Sequence, residues 1–230
     1  MNYHFDFSFL HEYWGDLLYG VWLTIRMTLI ATLPGFVLGI VLAVGRLHGS
    51  AAVSRAIRAY VEVIRNTPLV LQVFWIFFGL AAIRLHVPAF GAAIVALVVN
   101  VSAYTAEIMR AGLEAVPHGQ IEAASCLAMS RRQVLWHVEI PQAIEKMYPA
   151  LVSQFILMLL ATSIMSQISA EELTGVADLI QSITFRGFEA YIVIAVAYLA
   201  LASALRWLLL AAGGALFPRL RMTAARGARS

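Results

Sequence analysis

Five long apolar runs alternate with short polar stretches along the chain, at about 17–44, 60–83, 88–108, 147–168 and 191–210. A helix needs roughly 20 residues to cross a hydrocarbon layer of about 30 Å, and each run reaches that length. The runs are continuous rather than alternating with period two, which predicts helices and not the strands of a barrel. Pro68 falls near the start of the second run, where its missing N–H frees a carbonyl one turn earlier and favours a kink. The expected fold is all-α: one polytopic membrane domain over residues 1–230 with five transmembrane helices.

One polar interruption stands apart. Residues 122–141 read EAASCLAMSRRQVLWHVEIP, a charged segment between strongly apolar runs. Pro117-His118-Gly119 introduces it as a turn. Residues 121–129 predict a short helix in which Ala123 and Ala124 leave room for another surface to approach the backbone. Ser130, with Gln133 three residues on, predicts a capping box for a second short helix. That helix is expected to end before Pro141, which biases its predecessor away from helix. The expected unit, about 117–141, is a helix-turn-helix lying flat at the membrane surface, suited to passing a push into the third and fourth crossings.

Composition agrees. The chain is 61% hydrophobic and 13% charged, against about 45–50% and about 25% for soluble domains. Its basic residues sit in short patches between apolar runs, so a net charge of +3 is no nucleic-acid footprint. Arg46, Arg55, Arg58, Arg65, Arg110, Arg131, Arg132, Lys146 and the four tail arginines at 219, 221, 226 and 229 fall on one side of the predicted topology. Arg84 and Arg186 fall on the other, with Asp6, Glu12, Asp16, Glu171, Glu172 and Asp178. The basic side is the cytoplasmic one, which places the N-terminus outside, the C-terminus inside, and the 117–141 unit in the cytoplasm. The start carries Asp6, Glu12 and Asp16 and no basic leader, so the first crossing is expected in the mature protein. Arg26 and Arg206 fall in or near crossings and are read as snorkelling to the interface. The single cysteine, Cys126, excludes an internal disulfide and is read as a small packing residue.

The 122–141 segment resembles the EAA loop of ABC importer permeases, whose pattern is E-A-A, three residues, G, nine residues, I-x-L-P. Glu122, Ala123 and Ala124 match, and Ala128 stands where glycine is usual. Val138, Ile140 and Pro141 fit the closing hydrophobic-x-hydrophobic-proline. Two further segments, RNTPLVLQ at 65–72 and NVSAYTAEI at 100–108, resemble the R-G/S-T-P-L-x-x-Q and N-x-x-A-Y-x-A-E-I segments of polar amino acid permeases. HEYW at 11–14 and the number of crossings also suit that group. The chain is thus identified as a member of the polar amino acid permeases, with the type I, MetI-like architecture. The resemblance implies a bacterial inner-membrane subunit that works with a cytoplasmic ATPase dimer, an external solute-binding protein and a second permease. ATP and magnesium belong to the ATPase, and none of the usual nucleotide motifs is found in this sequence.

Candidate path residues follow from polar stripes. Asn100, Tyr104 and Glu107 share one face of the third crossing. Asn100 and Tyr104 either line a substrate cavity or hydrogen-bond a neighbouring helix. Glu107 is expected to pair with Arg110 or a basic residue on a neighbouring helix. Gln154, Met158 and Thr162 recur every four residues in the fourth crossing, with Ser163 beside them. Thr67, Pro68 and Gln72 open the second crossing, and Gln72 serves either substrate or a neighbouring span. Relatives often carry Lys-Asp where this chain has Leu160-Ala161, so their charge recognition does not transfer. Either a sister subunit supplies that charge or the binding protein sets selectivity, which favours a heterodimer over a homodimer. Residues 169–184 predict either a short amphipathic helix or a solvated loop, whose Glu171, Glu172 and Asp178 face a docked binding protein in the first case.

No catalytic triad, metal-binding histidine pair or other enzymatic constellation is found, so the chain is not expected to be an enzyme. The alternative to an ATP-driven importer is an ATP-independent secondary amino acid carrier or channel. That alternative needs intramembrane charges or an inverted repeat, and only Glu107 answers the first requirement.

Overall fold

The computed structural model of the chain describes residues 4–216. The tail arginines at 219, 221, 226 and 229 lie outside the described residues. Every regular element among those described is helical. The first is α1, Phe9–His48, whose 40 residues give roughly 60 Å at 1.5 Å per residue. That extends the 17–44 run at both ends. The central element is α4, Ala89–Glu114.

These two helices meet along a seam of small residues. On α1 the seam runs through Ala31, Gly35, Gly39 and Ala43, all buried and spaced four residues apart. On α4 it includes Val101, Ser102 and Thr105. A Cβ added at Gly39 would come within 2.5 Å of Thr105 Cβ and 2.9 Å of the Ser102 carbonyl. Lipid tails are as apolar as leucine, so helices in a bilayer gain little by hiding apolar surface from lipid. They associate through close van der Waals contact, which small residues permit.

The second run departs most from expectation. It is not one helix over 60–83 but two: α2, Ala51–Arg65, and α3, Leu69–Ala82, bent by 106° at the break between them. Pro68 ends the first and begins the second, because it has no N–H to continue the ladder. With 14 residues, α3 extends only about 21 Å. Ile57, Tyr60, Val61 and Ile64 of α2 pack on Ala103 and Ala106 of α4. The Tyr60 hydroxyl donates to the Val99 carbonyl at 2.9 Å. Arg55 and Arg58 stay exposed on the far side.

After α4 come α5, His118–Cys126, and α6, Arg131–Val134. A π turn over Leu135–Glu139 then leads directly into α7, Ile140–Ala161, which continues as a 3₁₀ turn over Thr162–Ile168. The chain closes with α8, Leu173–Thr184, and α9, Gly187–Leu216. Among the described residues, four helical stretches are long and apolar enough to cross a membrane, or five if α2 and α3 count as one broken span.

The 169–184 segment forms the amphipathic helix and not the solvated loop. Leu173, Val176, Ala177 and Ile180 make one buried face of α8 against α1 and α9. Glu172 caps it, accepting from the Thr174 and Gly175 amides at 2.9 and 3.1 Å. The residue is fully buried, and burial pushes its carboxyl up while Tyr198 and the two amides pull it down. It is therefore a structural cap. Asp178 accepts from Tyr191 at 2.6 Å, leaving Glu171 as the freest of the three acids expected to face a partner.

Gly39→Val is expected to lower the stability of the detergent-solubilised protein by about 2–3 kcal/mol through overpacking the seam. Gly15→Ala, where no atom lies within 4 Å of the added carbon, is the control and should leave it unchanged or slightly raised. Thermal unfolding of the pair checks this, and equal melting temperatures would refute the seam's role.

Candidate functional site

The break between α2 and α3 creates both an unsatisfied carbonyl and a cavity. In an unbroken helix the Ile64 carbonyl would accept from the N–H four residues on, but that residue is Pro68. The Gln72 side chain supplies the missing donor: its Nε2 lies 2.7 Å from the Ile64 oxygen. The same nitrogen reaches the Thr67 carbonyl at 3.0 Å and its hydroxyl at 2.9 Å. Gln72 Oε1 in turn accepts from Asn100 Nδ2 of α4 at 3.1 Å. Gln72 and Asn100 are both buried. Gln72 thus bonds the backbone at the break and, through Asn100, the neighbouring α4.

A cavity of about 440 Å³ lies against this break. Six of the predicted path residues line it: Thr67, Pro68, Asn100, Tyr104, Gln154 and Met158. They come from the break, α4 and α7, which the topology brings together. Gln72, Glu107, Thr162 and Ser163 are not among the lining residues. The Thr162 and Ser163 hydroxyls turn back to the Leu159 and Leu160 carbonyls at 2.7 Å each. Such bonds satisfy the donor of a hydroxyl locally. The polar stripe of the fourth crossing therefore divides where α7 tightens into the 3₁₀ turn. Sequence reasoning overlooked Arg65, Leu157 and Ala161 as part of the wall.

Glu107 sits at the centre of an ion cluster. Arg110 NH2 approaches one of its oxygens at 2.7 Å and Arg46 NH1 the other at 2.8 Å. Both expected kinds of partner are thus present, one on its own helix and one on α1. Arg65 stands farther off, at 4.0 Å, with its guanidinium 5.5 Å from the centre of the Tyr104 ring. Arg26, near mid-α1, lies 5.2 Å from the ring of Phe90.

The 117–141 unit is built differently from expectation. Its first helix is α5, slightly earlier than 121–129. It ends in a Schellman turn, in which the Met129 amide bonds the Ala124 carbonyl at 3.3 Å and the Ala128 amide bonds the Ser125 carbonyl at 3.0 Å. Ala128 takes φ 57°, the left-handed conformation that glycine adopts without strain. The capping box forms as the spacing predicts: the Ser130 amide bonds Gln133 Oε1 at 2.8 Å and its hydroxyl accepts from the Gln133 amide.

The second helix does not stop before Pro141. It widens into the π turn, where the Ile140 amide bonds the Leu135 carbonyl, and Pro141 then sits in the first turn of α7. A proline clashes with the carbonyl four residues back, and a wider turn accommodates that residue without ending the helix. Only α5 is therefore separate, whereas α6 is the end of the α7 rod. Ala124 and Ile140 are buried, while Glu122, Ala123 and Pro141 are exposed. Cys126 is exposed rather than packed. Leu127 is 79% and Trp136 59% exposed, two large apolar side chains at the surface that the motif pattern alone did not reveal. Glu139, buried in the π turn, lies 3.5 Å from both His48 at the end of α1 and Arg131. It ties the unit to the first helix.

A family profile described as "binding-protein-dependent transport system inner membrane component" matches residues 35–221. The chain belongs to that family. Among relatives of this transport-system component, a probable glutamine ABC transporter permease protein, GlnM of Bacillus subtilis (strain 168), is 37% identical over 194 residues, 84% of this chain and 90% of that one. The nopaline transport system permease protein NocM of Agrobacterium fabrum (strain C58 / ATCC 33970) is 34% identical over 226 residues, 94% of each chain. A crystal structure of an amino acid ABC transporter with histidines superimposes with TM-score 0.84 at 38% identity, over 92% of this chain and 99% of that one. An inward-facing structure of the MetNI methionine ABC transporter gives 0.76 at 20% identity, over 89% and 98%, and shares the fold. The architecture is thus the MetI-like one.

Two substitutions test the local geometry. Gln72→Leu leaves the Ile64 carbonyl with only the long 3.5 Å bond from the Thr67 hydroxyl and removes the acceptor of the Asn100 amide, and should destabilise the protein by about 1–3 kcal/mol in thermal unfolding. Ala128→Gly removes the left-handed strain and should stabilise α5 by roughly 0.5–1 kcal/mol, read as slower amide exchange there. Faster exchange in Ala128→Gly would contradict the assigned turn.

Proposed function

We propose that this chain is the membrane-spanning permease subunit of an ATP-driven ABC importer for polar amino acids. Substrate passes from an external binding protein through a path between two permease subunits to the cytoplasm. Twelve of the 16 basic residues support an orientation with the N-terminus outside and the 117–141 unit and C-terminus in the cytoplasm. A cytoplasmic ATPase dimer docks on the unit and carries ATP and magnesium, so this chain needs no cofactor of its own. The second permease is a sister subunit in a heterodimer, since Leu160-Ala161 removes the charged pair that relatives often carry. The exposed faces of α1 and α9, with Trp22, Leu33, Leu199 and Trp207, suit lipid.

The observation that carries this reading is the exposed unit itself. Glu122, Ala123 and Leu127 are presented outward, and α6 runs without interruption into α7, which carries Gln154 and Met158 on the cavity wall. A subunit that grips the unit thereby moves the wall, and ATP binding biases a two-state pore through differential contact with the two states. A carrier without ATP is disfavoured by Glu107, whose two oxygens are already held by Arg110 and Arg46 and do not suit a proton relay.

Glu122→Lys in the assembled transporter tests the coupling. ATP hydrolysis should persist while substrate uptake falls at least about tenfold, as expected when a charge at a docking surface is reversed. Unchanged uptake in that variant, or uphill transport by this chain without any ATPase, would overturn the proposal.

A further inference from the structure

We propose that a recess beside Arg26 of α1 binds the zwitterionic headgroup of a phosphatidylethanolamine lipid, its phosphate on Arg26 and its ammonium on Glu171. The inference goes beyond the importer reading and needs only that α1 crosses a bilayer. Twenty residues separate Arg26 from Arg46 on α1, about 30 Å at 1.5 Å per residue, which is the thickness of a hydrocarbon core. On α4 the residues that meet these two arginines, Phe90 and Glu107, stand about 26 Å apart by the same rise. Arg46 belongs to the ion cluster at one boundary, so Arg26 falls at the other, at the depth of lipid phosphates. Tyr19 and Trp22, two turns and one turn farther out, are 54% and 56% exposed, as suits the aromatic belt of a membrane interface.

Arg26 opens toward lipid. It is exposed, and Trp22, Leu29, Ile30 and Leu33 on the same face of α1 are exposed apolar side chains. Its guanidinium lies 5.2 Å from the centre of the Phe90 ring, a contact that holds the group and leaves its charge uncancelled. A cavity of about 270 Å³ adjoins it, lined by both Arg26 and Glu171. Neither residue forms an ion pair with the other or with any further charged group among the described residues. A cation and an anion that share a small recess without meeting are complementary to a ligand that carries both signs. The guanidinium presents paired N–H donors to a phosphate, and the carboxylate accepts from a primary ammonium. An adjoining recess adds Asp16 and Asp178 beyond Glu171, so the outer side favours a cation. A phosphatidylglycerol headgroup brings no cation to these acids, and a phosphatidylcholine headgroup has no N–H to donate to them.

The test titrates the full chain, within the assembled transporter in detergent micelles, with phosphatidylethanolamine, phosphatidylglycerol and phosphatidylcholine, and counts bound lipids by native mass spectrometry. The wild type is expected to hold one phosphatidylethanolamine per copy of this chain, at least about tenfold tighter than either other lipid. Arg26→Leu should weaken that binding about tenfold or more, and Arg26→Lys should retain most of it. Glu171→Gln should erase the preference for phosphatidylethanolamine while phosphatidylglycerol binding stays or rises. Both altered side chains are exposed, and unchanged melting temperatures in lipid-free detergent confirm that the variants fold. Unaltered phosphatidylethanolamine binding in Arg26→Leu, equal affinity of the wild type for the three lipids, or a preference that survives Glu171→Gln overturns the inference. Displacement of the lipid by an equal concentration of free phosphoethanolamine or glutamine also overturns it, since the recess then belongs to a soluble zwitterion.

Discussion

Close contact between α1 and α4 is the constraint on which the rest of the structure depends. A bilayer offers helices no water to escape from, so they adhere only where their backbones can approach. Gly35 and Gly39 let α1 lie against Val101 and Thr105 with no space for a side chain between. With one face of α4 so occupied, α2, α3 and α7 take up its others. Two further points of α1, one near its middle and one at its C-terminal end, are used as well. Thr24 accepts from the Leu173 amide at the start of α8, and His48 lies beside Glu139 in the π turn.

A second constraint follows from Pro68. Breaking the second run leaves a polar backbone without partners in a place where such groups are costly, so a side chain has to take them up. Gln72 does so, and Asn100 fixes its amide to α4. The consequence is functional, because the turn that Gln72 holds is also the rim of the cavity. Irregular backbone within a membrane protein is tolerated where it is enclosed by protein or lines an aqueous space, and this break does both. The arrangement of Thr67 and Arg65 on the wall is therefore inherited from a backbone problem and its repair.

Features set by local pattern were legible in the sequence. The apolar runs, the capping box at Ser130 and the face shared by Asn100 and Tyr104 each follow from spacing within a single element. What escaped depended on partners distant in sequence. The amphipathic helix α2 was hidden because its arginines read as a loop between crossings, whereas its apolar face at Ile57, Val61 and Ile64 is visible in the same residues. The continuation through Pro141 was missed because proline more often ends a helix, and only a widened turn evades that rule. Arg65 was counted for topology and for the RNTPLVLQ pattern but not as part of the wall, since its place on the cavity arises from the 106° bend. Thr162 and Ser163 looked like path residues by period, but the period changes at the 3₁₀ turn.

The same geometry explains how one exposed unit can act on a buried cavity. Both helices that frame the cavity, α4 and α7, lead toward the 117–141 unit, α4 through the short turn before α5 and α7 through the π turn and α6. The two connections differ in stiffness. The π turn keeps a backbone hydrogen bond, so α6 runs on into α7, whereas Pro117 separates α4 from α5. A displacement of the unit therefore reaches Gln154 and Met158 more directly than Asn100 and Tyr104, which remain anchored by Gln72 and by the α1 seam. The left-handed turn at Ala128 fits this division, because it fixes the angle between the α5 surface and the rod that transmits its motion.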